Sequence, residues 1–200
     1  EHDQKLFVYY CQADLALVNV DSNRRKLLRR QGGQRKPSLF IDFDVSPEGK
    51  YILVERVHPP FRLHTPASDF ARSVEVWDLK GDLKNFSLLP SSDTTQIGGV
   101  ARHPRLHHWR PTSPDTLAWV EALDGGNPSA EVKWRDRVMT MTMSGETNAT
   151  EVVRLEHRYS GIYWGEDPSV VLVREYQSSK SRHYLWRIDP NNPEVKQPLF

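Results

Sequence analysis

The sequence predicts an all-β fold of repeated four-stranded antiparallel sheets, and three observations predict it. First, three stretches of the 200 residues share one plan of strand, tight turn and strand. Second, each stretch is followed by a third strand that alternates apolar and polar residues with period two, the mark of a half-buried strand. Third, no segment shows apolar periodicity over three helical turns. Four antiparallel strands repeated at a fixed period are the plan of a propeller blade. The chain therefore reads as a partial β-propeller of about three and a half blades. A single β-sandwich is the competing all-β reading, but it does not require the same strand plan to recur in the same order.

The elements follow in chain order. Residues 1–30 fit the back of a blade, with Leu6–Tyr10 as a second strand, Leu15–Asp21 as a third and Arg25–Leu28 as a fourth. Residues 37–91 form the first full blade. Its hairpin is Phe40–Val45, the turn Ser46-Pro47-Glu48-Gly49, and Tyr51–Val54; Ser73–Leu79 and Asn85–Leu89 complete it. Pro and Gly set the turn, while the branched and aromatic side chains suit a pleated surface. Residues 100–156 repeat the plan with Leu106–Arg110, Thr116–Val120, Arg137–Met143 and Glu151–Leu155. Residues 157–200 give a nearly complete blade with Gly161–Trp164, Val170–Val173 and His183–Asp189. Corresponding positions Phe43, Trp109 and Trp164 lie about 55 to 65 residues apart. A long, proline-punctuated insertion, Arg56 to Arg72, reads as a surface loop between the second and third strands of the first full blade.

Composition narrows the classes of function. Hydrophobic residues make up 38 %, with six Trp, seven Tyr and seven Phe, a globular rather than disordered balance. The net charge of +1 favours no class of partner. One cysteine, Cys11, cannot form an internal disulfide, which suits a reducing, intracellular setting. No apolar run approaches the roughly 18 residues of a membrane helix, so no membrane partner is expected. Both chain ends read as cuts in a longer polypeptide. Open blade faces at each end would then leave the isolated 200 residues poorly soluble or oligomeric.

Residues that carry chemistry are few. No Gly-x-Ser-x-Gly nucleophile elbow occurs, and no Ser, His or Asp has an activating neighbourhood, so no catalytic residue is assigned. His103 and His107 are spaced for zinc on a helix, but Pro104 stands between them and the segment reads as strand, where residues four apart are about 13 Å apart. No metal and no cofactor is expected. The double glycines 32–33, 98–99 and 125–126 are turn residues without a phosphate-loop context. Asn148-Ala149-Thr150 is a glycosylation triplet by pattern alone. The basic run Arg24-Arg25-Lys26-Leu27-Leu28-Arg29-Arg30, with Arg35-Lys36, reads as a charged outer strand that discourages edge pairing. It lacks the interleaved aromatics of a single-strand nucleic-acid platform, so no nucleic-acid partner is expected. Trp77, Trp109, Trp119, Trp164 and Trp186 lie on strands as packing between blades.

The run Ser46 to His58, Pro60-Phe61, Val74 to Leu79, Trp109-Arg110-Pro111 and Gly161 to Gly165 resemble the propeller of the prolyl oligopeptidase clan of serine peptidases. Within it they are most similar to the glutamyl endopeptidases of chloroplasts and bacteria. The most distinctive phrase is Trp119-Val120-Glu121-Ala122-Leu123-Asp124-Gly125-Gly126, with Arg135-Asp136-Arg137 in support. Pro59-Pro60 and residues 91–106 depart from the family pattern. The resemblance implies a seven-bladed propeller that gates peptide access to an α/β-hydrolase domain, absent from this chain, which carries a Ser-Asp-His triad. The implied partners are that C-terminal hydrolase domain and a peptide substrate. In a plant or alga the implied location is the chloroplast stroma. Cleavage beside glutamate would call for cations facing the substrate, and Arg56, His58, Arg62 and Arg72, in or beside the long loop, are the candidates. A stand-alone propeller serving as a protein-interaction scaffold is the alternative.

Overall fold

The computed structural model of the chain describes residues 2–28, 38–61, 66, 69–89, 96–145 and 148–199. Strands dominate. After a helix, α1 (His2–Cys11), come fourteen strands among the described residues, paired into one two-stranded and three four-stranded antiparallel sheets. Each four-stranded sheet is a meander in which neighbours in sequence are neighbours in space. This is the blade plan, and the architecture is a partial β-propeller.

The chain divides into two compact units, residues 1–45 with 49–94 and residues 46–48 with 95–200. The first unit holds β1 (Leu15–Val18) and β2 (Arg25–Leu28), then β3 (Phe40–Val45), β4 (Tyr51–Val57), β5 (Arg72–Asp78) and β6 (Leu83–Leu89). Period-two alternation turns Leu15, Leu17 and Leu28 inward onto Ile52, Val54 and Trp77 of the four-stranded sheet. The opposite face of the small sheet exposes Val18 and Leu27. From the basic run, Lys26 Nζ donates to the Leu79 carbonyl at 3.0 Å. Arg29, Arg30, Arg35 and Lys36 lie outside the described residues.

One element corrects the sequence reading. Leu6–Tyr10, expected as a strand, belongs to α1. An unbroken apolar run carries no period that separates helix from strand. Packing decides it: Phe7 lies 5.0 Å from Phe61 and 5.9 Å from Phe70, centroid to centroid. Gln4, three residues earlier and so on the same helical face, donates from Nε2 to the Phe61 carbonyl at 2.8 Å. Val57 and Leu39 complete this cluster.

The second unit holds β7 (Arg105–Trp109), β8 (Thr116–Ala122), β9 (Asp136–Thr142) and β10 (Thr150–Leu155), then β11 (Arg158–Trp164), β12 (Val171–Gln177), β13 (Arg182–Asp189) and β14 (Asn192–Pro198). The two sheets share one core: Val120, Val138, Val152, Val153 and Leu155 meet Val171, Val173 and Ile188, all nearly solvent-free. Burying a side chain of this size contributes roughly 1.5–3 kcal/mol, so the eight together make this contact a substantial apolar seam.

A charged clasp fastens the same two sheets. Asp124, whose side chain is solvent-free, takes Arg135 Nη1 at 2.9 Å and Arg158 through both terminal nitrogens at 2.9 and 2.5 Å. Asp136, fully buried, takes Arg105 Nη2 at 2.8 Å, Arg158 Nη1 at 3.1 Å and the Tyr159 backbone N–H at 2.7 Å. Arg158 opens β11, so its guanidinium ties one blade to two carboxylates of the preceding one. The Asp124-Gly125-Gly126 turn is shaped for this. The Gly126 N–H donates to Asp124 Oδ1 at 2.9 Å, and the Gly126 φ is +78°. A Cβ at Gly126 would lie 2.0 Å from the Val100 carbonyl oxygen, so only glycine fits.

Candidate functional site

Three of the four candidate cations, Arg56, His58 and Arg72, sit at the exit of β4 and the entry of β5, and the structure separates them. Register pairs Arg56 with Ser73, Glu55 with Val74 and Val57 with Arg72. Alternation then places Arg56, Ser73, Glu75 and Trp77 on one face, and Glu55 and Arg72 on the other. Arg56 lies within β4 rather than in the loop. His58 follows directly, its N–H bonded to the Ala71 carbonyl at 2.7 Å. Arg62 and His64 lie outside the described residues.

Glu75 organises the first face. It is fully buried, and its Oε1 accepts Arg56 Nε at 3.1 Å, Arg56 Nη2, and the Ser73 hydroxyl at 2.8 Å. Its Oε2 accepts the Trp77 indole N–H at 2.8 Å. Burial pushes the Glu75 carboxyl up, but these hydrogen bonds and the Arg56 charge more than offset it, leaving it below the ordinary value. Arg56 also donates from Nη1 to Ser38 Oγ at 3.1 Å, and its guanidinium lies over the Trp77 ring. This arginine is a structural clamp with little of its charge left for a ligand.

His58 Nε2 lies 2.8 Å from Ser73 Oγ. The trio of His58, Ser73 and Glu75 contains the residue types of a nucleophilic triad in the wrong order. A triad puts histidine between serine and acid so that it can accept the serine proton. Here serine stands between them, donates to the acid, and is fully buried. Burial, then the nearby Arg56 charge, pushes the His58 imidazole below its usual range, with Glu75 opposing. Because the Ser73 proton goes to Glu75, His58 Nε2 donates to Ser73 Oγ, and the other ring nitrogen of neutral His58, Nδ1, is left as an acceptor, whereas Ser73 cannot reach a substrate.

On the opposite face, Arg72 makes a long ion pair with Glu55 at 3.4 Å, the one ion pair it has among the described residues, and is 30 % exposed. Burial raises the Glu55 carboxyl, Arg72 lowers it, and Asp42 raises it further. Of the described candidates, Arg72 is therefore the one with the weakest hold on its partner.

The carboxylates that the sequence reading passed over organise all three blades. Trp119 donates to Glu121 Oε1 at 2.8 Å, and Trp186 donates to Glu175 Oε1 at 2.8 Å, as Trp77 does to Glu75. The signal was present for two of them: Glu75-x-Trp77 and Trp119-x-Glu121 share a face by period two. The third joins neighbouring strands and has no local signature. His107, half of the spaced histidine pair, stacks on the Trp119 ring at 6.3 Å. Trp109 and Trp119 are buried as expected, while Trp164 spans between blades, its Nε1 3.2 Å from His108 Nε2.

No protein-family model matches the chain. The whole chain aligns with two plant proteins named "Probable glutamyl endopeptidase, chloroplastic". It is 30 % identical over 208 residues to that of Oryza sativa subsp. japonica and 32 % identical over 207 residues to that of Arabidopsis thaliana. Throughout its length it is similar to one segment of these glutamyl endopeptidases. The segment spans about a fifth of these relatives' length, 21 % and 20 %. Among solved structures, an uncharacterised protein of Listeria monocytogenes superposes with a TM-score of 0.52 at 10 % identity, over 93 % of the segment and 46 % of that protein, a likeness of fold. An acylaminoacyl peptidase of Pyrococcus horikoshii superposes with a TM-score of 0.47 at 15 % identity, over 94 % and 28 %. No helix among the described residues is long and apolar enough to cross a membrane.

Proposed function

We propose that the segment forms part of the gate of a serine peptidase. The propeller admits flexible peptides to a following α/β-hydrolase domain and turns folded proteins away. The bond-breaking groups, a serine nucleophile, its histidine base and an oxyanion hole, belong to that other domain. The observation that carries this reading is the alignment of every part of the segment with two proteins named as glutamyl endopeptidases. The geometry supports it from the other side: in the one Ser-His-Glu cluster described above, the serine is buried and hydrogen-bonded to both partners. Within the gate, Arg72 and the edge of His58 are the groups offered to a passing peptide, and Arg56 holds the strand that presents them. The names of the plant relatives, which carry the word chloroplastic, support a site of action in the chloroplast, with the stroma as the proposed compartment.

A fluorophosphonate probe, which esterifies activated serines, tests the assignment on the complete polypeptide that carries this segment. One labelled serine is expected, in a peptide outside residues 1–200. Labelling at Ser73 would overturn the separation of gate from chemistry. No labelling in a folded preparation would leave the scaffold reading in its place.

A further inference from the structure

A cavity of about 560 Å³ opens in the second unit, where the β8–β9 connection meets the start of β11 and the end of β12. Its size lies within the roughly 300–1,000 Å³ of small-ligand sites. The lining is cationic: Lys133, Arg135 and Arg158 contribute to it, and Glu156 is the single carboxylate. Ser178 and Ser179 add neutral hydroxyl groups.

The charge behind this lining is unbalanced. In the clasp, the guanidiniums of Arg105, Arg135 and Arg158 form ion pairs, among the described residues, only with the carboxylates of Asp124 and Asp136. One positive charge is left over in a largely buried cluster. Arg105 Nη1 is buried and has no hydrogen-bond partner among the described residues. Leaving a buried charged donor unmatched is costly, and a nearby counter-charge relieves it. Lys133 adds a second cation at the mouth. Its ammonium lies 5.0 Å from the centre of the Trp134 ring, and no ion pair to it occurs among the described residues.

We propose that this cavity binds a small anion carrying a carboxylate or a phosphate group. Lys133 supplies a point charge and the serine hydroxyls supply neutral donors. The excess charge of the clasp attracts the anion through Arg135 and Arg158.

The test uses the complete polypeptide with two probes, inorganic phosphate and glutarate, titrated by calorimetry at about 0.15 M salt so that diffuse surface attraction is screened. Saturable binding of either is expected, and which of them binds tells phosphoryl from carboxylate ligands. Lys133→Glu should weaken it about tenfold or more, the weight of one charge-assisted contact. Lys80→Glu, the same change in an exposed turn of the first unit, should leave it unaltered. In the unsubstituted protein the ligand should also slow amide exchange at residues 176–179, a readout independent of any variant. Absence of saturable binding by both probes would overturn the proposal, as would equal effects of the two substitutions or unaltered exchange at 176–179.

Discussion

Replacing Asp124 with alanine probes the clasp that fastens one blade to the next. The carboxylate is fully buried and accepts four hydrogen bonds, one from Gly126 and three from Arg135 and Arg158. Removing one partner of a buried ion pair costs about 3–5 kcal/mol, because the abandoned charge stays out of water. Arg135 and Arg158 keep 25 % and 17 % of their side-chain exposure, so water softens the loss and the lower end, about 3 kcal/mol, is the working figure. In the complete polypeptide, amide exchange of Thr116–Ala122, Asp136–Thr142 and Arg158–Trp164 should then speed up by roughly a hundredfold. Glu121→Gln is the control. Its partner Arg137 lies near the surface, at 2.7 Å and 32 % exposed, and such pairs contribute under about 1 kcal/mol, or less than roughly fivefold in exchange. Combining Asp124→Ala with Arg158→Met should cost less than the sum of the two, since each already removes the same bond. An Asp124→Ala protein whose exchange matches the Glu121→Gln control would refute the reasoning.

Three further predictions rest on separate features. Gly126→Ala should cost at least about 2 kcal/mol, from an unfavourable φ and a clash with the Val100 carbonyl. Gly145→Ala has a similar φ but open space around it, so it should cost only about 1 kcal/mol; equal melting temperatures for the two would contradict the close approach. His58, held below its usual pKa, takes up its proton more readily unfolded than folded. Stability should therefore fall as pH drops below the unfolded value near 6.5, and stay flat above it. The difference between the unsubstituted protein and His58→Gln should change between pH 7.5 and pH 5, and a constant difference would rule this out. Arg72→Ala should lower kcat/KM for acidic peptides by about tenfold while shifting stability by less than about 1 kcal/mol, given its long, exposed pairing. Unchanged kinetics would remove Arg72 from the gate.

The blades were legible because short runs of strand-forming residues recur between strong turn signals. In Tyr51–Val57 and Thr116–Ala122 the branched and aromatic residues, closed off by Ser-Pro-Glu-Gly and Ser-Pro-Asp turns, leave little choice of structure. The helix at His2–Cys11 was not legible, because its cause is an aromatic contact with Phe61 and Phe70, more than fifty residues away. The candidate cations show a similar limit. Sequence placed Arg56, His58 and Arg72 around one insertion, but only register shows that Arg56 and Arg72 point to opposite faces. It also could not show that Arg56 is consumed by Glu75. The phrase Trp119 to Gly126 was distinctive before its reason was known. Its indole, its carboxylates and its last glycine each satisfy a different buried demand, so the residues hold together as one motif.

In the proposed function, these blades screen substrates for chemistry performed elsewhere in the same polypeptide. The most direct measurement compares cleavage of one glutamate-containing sequence presented in two ways by the complete protein: as a free, unstructured peptide, and as a surface loop within a stably folded domain. The account predicts rapid cleavage of the free peptide and a rate at least about a hundredfold lower for the folded carrier, whose bulk cannot pass the propeller. Comparable rates for both would show that the blades do not gate, and would contradict the account.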